Sequence, residues 1–362
     1  MEQQGGLKQP MLGLVSTIIV MFLSFGFIMW FTLDTFLGWV GYLVMTCIPV
    51  SIVMALVWGG NYPAPAAKLE QPLKGIYLVL FMIVIGAFVA PWTQKTIGGY
   101  VEPPTPFVVH FTIISVITTV WLTIPWQCWP MSAISKHPAV VGLGTLILAY
   151  IIVIIIYFTF MDFSFLKGAP FYRDWLDPQG AFNAWVTISF ILSTAAIILA
   201  FAELDFWPFS AMAAKSPGLG KQPVWGIMVT ITVLILAYIL RKIFVDGFGM
   251  DTVVYAVRVP MCLIFGEFIM LLMFQTAPVQ TVKQPLKGFV LIIFTIILAV
   301  VMYYLYAWLS GFVHGKMPSG APTYVFELWV ATSLLSVTFP LITIYSSFFN
   351  FWPLTEPKPV EK

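Results

Sequence analysis

The sequence predicts an all-α polytopic membrane protein of about ten transmembrane helices, built as five repeated helix hairpins. Three observations predict it. Of 362 residues, 60% are hydrophobic and only 9% are charged, where a soluble domain carries about 25% charged residues. The apolar residues fall into ten runs, each close to the ~20 residues that a helix needs to cross a bilayer. A Lys- and Pro-containing phrase also opens every second run, five times in all.

The ten spans read as Met11–Leu33, Phe36–Trp58, Gly75–Trp92, Pro106–Cys128, Ala139–Phe160, Ala181–Ala202, Val224–Phe244, Asp251–Thr276, Lys287–Leu309 and Tyr324–Phe349. The leading MEQQGGLKQP has no basic run, and the first span is too long for a signal-peptide core, so it reads as a retained helix. The Phe31–Trp39 turn is short and predicts a tight hairpin between the first two spans. The glycine-containing link from Phe244 to Asp251 does the same for the seventh and eighth.

Each even span closes on a proline, at Pro63, Pro130, Pro208, Pro278 and Pro353. Each odd span opens after Pro10, Pro72, Pro138, Pro223 or Pro285, and the pentapeptide QPLKG occurs twice, at Gln71 and Gln284. Proline suits a first helical turn, where its missing N–H would have no partner in any case. One reading is a set of good helix starts at a membrane interface. The other is fivefold duplication at a spacing of 62 to 85 residues, with repeats 7–63, 70–130, 135–208, 220–278 and 283–353.

Charge suggests the orientation. Ten basic residues, including Lys68, Lys74, Lys215, Lys358 and Lys362, fall on the side of both termini, against seven elsewhere. Those ten sit mostly in short loops, where the positive-inside rule counts them most. Both termini are therefore expected in the cytoplasm, and the membrane is expected to be the plasma (inner) membrane. Arg241 and Lys242 weigh against that orientation. On the opposite side, the longest loop runs over 161–180 and mixes Phe163, Phe165, Phe171, Tyr172 and Trp175 with charges. It reads as an interfacial loop packed on helix ends, or as a lid or docking surface.

The third, fifth and ninth spans are apolar all round, which suits lipid contact. The fourth, sixth and tenth carry hydroxyls, which suit helix interfaces in membranes. Even helices are thus expected inside and odd helices facing lipid. Thr112, Ser115 and Thr119 share one helical face, as do Thr332, Ser336 and Thr343. Such stripes line a path or simply pack.

Ionisable residues inside a span mark functional candidates. Glu267 sits about 10 Å or more from either end of its span, where a lone carboxyl is protonated and hydrogen-bonded or couples a proton or cation. Arg258 and Glu267 lie nine residues apart, which places them on opposite faces of a straight helix and roughly 13 Å apart along it. Pro260 between them is a candidate kink. Arg258 shares a face with Asp251 and reads as an interfacial arginine held by it, or as an anion-steering group. His110 and Arg258 each lie twenty residues before their closing prolines, which makes them equivalent if the repeats align without gaps. Glu203 and Asp205 read as interfacial, and Glu327 as a first-turn carboxylate at a helix N-terminus. Path candidates are therefore Glu267, Arg258, His110, Thr119 and Ser336.

Three scattered cysteines and three histidines give no disulfide framework and no metal set. No nucleophile–base constellation or phosphate loop is visible, so no catalysis and no cofactor is expected. A net charge of +2 points to no nucleic-acid partner. The expected environment is a lipid bilayer. The expected function is a transporter or channel for a small solute or ion, coupled through Glu267. The alternative is a non-catalytic membrane subunit that holds other membrane subunits or copies of itself.

Overall fold

The computed structural model describes residues 6–356; Lys358 and Lys362 lie outside them. Among the described residues, ten helices are long and apolar enough to cross a membrane. They are α1 (Met11–Ile28), α2 (Leu33–Val57), α3 (Leu73–Thr96), α4 (Pro106–Thr123), α5 (Pro138–Phe160), α6 (Ala184–Glu203), α7 (Val224–Gly247), α8 (Thr252–Met273), α9 (Leu286–Val313) and α10 (Val325–Phe348). The protein is an integral membrane protein of the all-α class. Helix α7 continues through Lys242 to Gly247, so its link to α8 is shorter than the glycines suggest. Lys242 there pairs with Asp246 one turn on, at 2.5 Å.

The even helices form a closed inner ring, α2–α4–α6–α8–α10, with α10 packing back on α2. Four of the odd helices lie in the outer groove between two successive even helices, and α7 packs mainly on α6. Thus α3 sits against α2 and α10, α5 against α4 and α2, and α9 against α8 and α6. In the most apolar stretch of each even helix 61–67% of residues are buried, against 17–44% for the odd helices. Composition accounts for the division. Hydroxyls and small residues allow close packing in the inner ring, whereas the odd helices turn side chains such as Phe22, Phe88 and Phe312 outward.

A repeated clip joins the rings. In four phrases the glutamine before the opening proline accepts the N–H of the glycine four residues on, at 3.0–3.3 Å. Its Nε2 donates to a carbonyl at the end of an even helix, at 2.6–3.0 Å. Gln9 reaches Met273, Gln71 reaches Phe348, Gln222 reaches Pro125 and Gln284 reaches Glu203. Every acceptor lies five residues before a closing proline. The fifth phrase has His137 in place of glutamine, and there the Trp58 indole donates to Pro138 O at 2.8 Å.

One turn on from each opening proline, a glycine receives a side chain of the same helix end. A Cβ on Gly13, Gly75, Gly226 or Gly288 would meet Phe274, Phe349, Trp126 or Leu204 at 2.4–2.9 Å, and one on Gly142 would meet Trp58 at 2.3 Å. Each odd helix is thereby fastened to the even helix three spans before it, counting from the tenth on to the first. Leu7 N–H donates to Leu354 O at 3.2 Å, which brings the first and last described segments together.

Three inner helices contain π-turns. They occupy Phe36–Val40 and Val53–Val57 in α2, Val257–Met261 and Ile269–Met273 in α8, and Thr332–Thr338 and Ile344–Phe348 in α10. Proline supplies no N–H to the helical ladder, and Pro260 lies inside one of these turns. Two side chains stitch the loosened carbonyls: Cys262 Sγ donates to Val257 O at 3.2 Å and Thr338 Oγ1 to Ser333 O at 2.9 Å.

The 161–180 loop packs onto helix ends. Asp177 is buried and organises it, accepting from the Phe163 and Gln179 N–H groups at 3.0 Å each and from the Tyr172 hydroxyl at 2.7 Å. Phe163 and Leu176 are buried beneath, while Trp175 stays exposed. A two-residue parallel pairing of Met161–Asp162 with Phe182–Asn183 closes the base of the loop.

Candidate functional site

All five inner helices contribute to a cavity of about 40 Å³ on the ring axis. Ile48, Ile117, Val120, Leu199, Phe268 and Phe339 are among its lining residues, and every lining residue is apolar. The stacked rings of Phe268 and Phe339, 3.9 Å between centroids, stand beside it. A space of this size with no polar wall holds no ordered water and gives a charged solute nothing to replace its hydration.

The hydroxyl stripes turn elsewhere. Thr119 and Ser336 are both buried, but their neighbours Val120 and Leu335 are the residues that line the axis. Thr112, Ser115, Thr119 and Thr123 each donate to a carbonyl three or four residues back in α4. This local bonding satisfies a hydroxyl inside a helix without any partner across it.

The polar centre lies off the axis, in the seam of α6, α8 and α9. Gly266 lets α8 close on α9: a Cβ there would sit 2.6 Å from Thr295 O. The next residue, Glu267, is 2% exposed. Glu203, at the end of α6, is 1% exposed and accepts the Thr295 hydroxyl on Oε1 at 2.5 Å. Thr295 thus lies against Gly266 of α8 through its carbonyl and against Glu203 of α6 through its hydroxyl. Each of the two carboxyls leaves its Oε2 buried with no hydrogen-bond partner. Glu203 is therefore a core residue, not the interfacial one its position at a span end suggests. Asp205, two residues on, does reach the surface, where Gln284 Nε2 and Lys287 Nζ hold its Oδ2 at 2.8 and 3.4 Å.

Arg258 and Glu267 are not brought together. Arg258 is exposed on the flank of the bundle, with its guanidinium over the Tyr303 ring at 5.4 Å from the centroid. Asp251 does not hold it; that carboxylate caps α8 through the Val253 and Val254 N–H groups and accepts the Tyr324 hydroxyl at 2.9 Å. Burial and the Asp251 charge push the Tyr324 phenol up to about 12.

His110 does not share the setting of Arg258 either. It is 2% exposed, and its ring meets Phe163 and Trp185 edge-on at centroid distances of 5.3 and 4.7 Å. Its Nδ1 donates to Pro106 O at 2.8 Å. A neutral ring then presents Nε2 as an acceptor, and that atom is buried without a partner. One π-turn of α8 contains Arg258 and the other follows it, whereas α4 has none, so counting back from the closing prolines does not reach equivalent settings. Glu327 does stand in the first turn of α10, where the Ser319 hydroxyl and the Gly320 N–H satisfy it from the preceding loop.

Sequence reasoning missed Glu203, Thr295 and the glutamine clip. The clip had a signal, because glutamine precedes four of the five opening prolines and glycine follows each by one turn. Glu203 had none, because only the packing of α9 buries it. Among the described residues, no group of three His, Cys, Asp or Glu side chains stands ready for a metal ion. No family model, curated protein or solved structure matches the chain.

Proposed function

We propose that this protein carries a small solute across the membrane and that Glu267 is the group that couples a proton or cation to that movement. The observation behind this reading is the Glu267 carboxyl itself. It lies on an inner helix, 2% exposed, with Oε2 unpartnered, and its neighbour Gly266 packs on Thr295, which bonds a second buried carboxyl, Glu203. A lone carboxyl inside a bilayer costs several kcal/mol, so a structural role alone would be served better by an apolar residue. In this reading the seam of α6, α8 and α9 is the working site, and the apolar axis is a packed core. No catalytic role is assigned to any residue.

The same reading has the chain arise by fivefold duplication of a hairpin, with the even helices inside and the odd helices facing lipid. The recurrence of clip and glycine at one register supports this. Both termini are placed in the cytoplasm of a plasma (inner) membrane. An impermeant maleimide tests that placement on Lys215→Cys and Lys316→Cys in intact cells. Labelling of the first alone would reverse it.

The test of transport is uptake by purified protein in liposomes across a panel of metabolites and ions, with and without a pH gradient. Glu267→Gln should abolish gradient-driven uptake. Unchanged uptake would remove Glu267 from the mechanism.

A second reading, a non-catalytic subunit that holds other membrane proteins, is favoured by Arg258, an exposed intramembrane cation that stands over the Tyr303 ring. A carboxylate on a neighbouring helix would complete it. A stoichiometric partner that copurifies from native membranes and is lost in Arg258→Ala would support that reading over transport.

A further inference from the structure

Three carboxyls descend from the surface into the α6–α8–α9 seam. Asp205 has a side chain 60% exposed, on the face of the bundle that holds both termini. Glu203, two residues earlier, is 1% exposed, and Glu267, on the next inner helix, is 2% exposed. The first two are bound into one unit by Gln284, whose Nε2 donates to Glu203 O at 3.0 Å and to Asp205 Oδ2 at 2.8 Å. The Thr295 hydroxyl occupies Glu203 Oε1 and leaves Oε2 free. Glu267 Oε2 is free as well. Two unpartnered carboxyl oxygens buried in one seam cannot both stay anionic without a counter-charge. Lys287, the one cation paired with this unit among the described residues, is engaged with Asp205 at 3.4 Å. A proton on the pair removes the conflict.

We infer that Asp205, Glu203 and Glu267 form a proton-entry relay from the terminus side of the membrane into the inner helix ring, in which Glu203 and Glu267 hold one exchangeable proton between them. Asp205 takes a proton from bulk water. The proton passes to Glu203 Oε2 and then, through inserted water, to Glu267 Oε2. Only O–H bonds form and break, and Asp205 returns to its carboxylate. Glu203 is the intermediate station because its other oxygen is fixed by Thr295. The relay rests on the reading of Glu267 as the coupling group and adds the side and the route by which its proton arrives.

The test follows hydrogen–deuterium exchange of the neutral carboxylic C=O infrared band in the full chain in liposomes. The wild-type protein should show a buried neutral carboxyl, and Glu267→Gln should remove or move its band. Asp205→Asn should slow exchange of that band about tenfold or more, the scale of losing a positioned acid–base group, and Asp205→Glu should restore the rate. Glu203→Gln should slow exchange at Glu267 at least as much. Absence of a neutral carboxyl at Glu267, or equal exchange rates in wild type, Asp205→Asn and Glu203→Gln, would overturn the relay. Uptake that stays flat while Asp205→Asn still slows exchange would count against transport and leave the relay standing.

Discussion

Gly288→Ala measures how tightly the outer helices are fastened. The new Cβ would lie 2.4 Å from Leu204 Cδ2 and 2.7 Å from Leu204 Cα. A leucine methyl can rotate away, but the Cα cannot, and it lies 0.7 Å inside the 3.4 Å at which ordinary contact begins. Helix α9 must therefore back off from the end of α6, which strains the Gln284 bonds to Glu203 and Gly288. Alanine recovers about 0.5–1 kcal/mol of helix propensity while overpacking costs about 1–3 kcal/mol, so the net loss centres on roughly 1 kcal/mol. Gly26→Ala is the matched control, because nothing lies within 4 Å of a Cβ there and only the propensity gain remains. The assay is equilibrium unfolding in mild detergent followed by Trp fluorescence. Gly288→Ala as stable as wild type would refute the close approach, whatever Gly26→Ala does.

Gln222→Ala removes the clip between α7 and α4 and leaves the Gly226 N–H and the Pro125 carbonyl unpaired; a loss of about 1–3 kcal/mol is expected in the same unfolding assay. Gln222→Glu should recover only part of it, since a carboxylate can accept from Gly226 but cannot donate to Pro125. In the 161–180 loop, burial and the Asp177 carboxylate push the Tyr172 phenol up from 10.0 to about 12. The raised value means that the stabilisation from this phenol is complete below pH 10 and is lost as pH rises to about 12. Ultraviolet titration should show Asp177→Asn bringing that phenol back towards its ordinary range, and an unmoved titration would break the Tyr172–Asp177 link. The same substitution should raise protease sensitivity within 161–180, because the Asp177 carboxylate holds two backbone N–H groups of that loop.

The sequence by itself determined that this chain lives in a bilayer, how many helices cross it and roughly where they lie. Those properties follow from run length and composition, which act locally: a segment of ~20 apolar residues is a span whatever surrounds it. The phasing of Arg258 against Glu267 is a local property too, but the π-turn at Val257–Met261 departs from the straight helix on which that expectation rests. Tertiary structure alone decided which polar groups meet. Glu203 looks like a span-end carboxylate until α9 lays Thr295 against it, and Gly266 matters only because α8 closes on α9 at that point. The glutamines of the opening phrases read as helix starts because one of their two bonds is local, to the glycine four residues on. The other bond, to a carbonyl three spans away, exists only once the ring has closed.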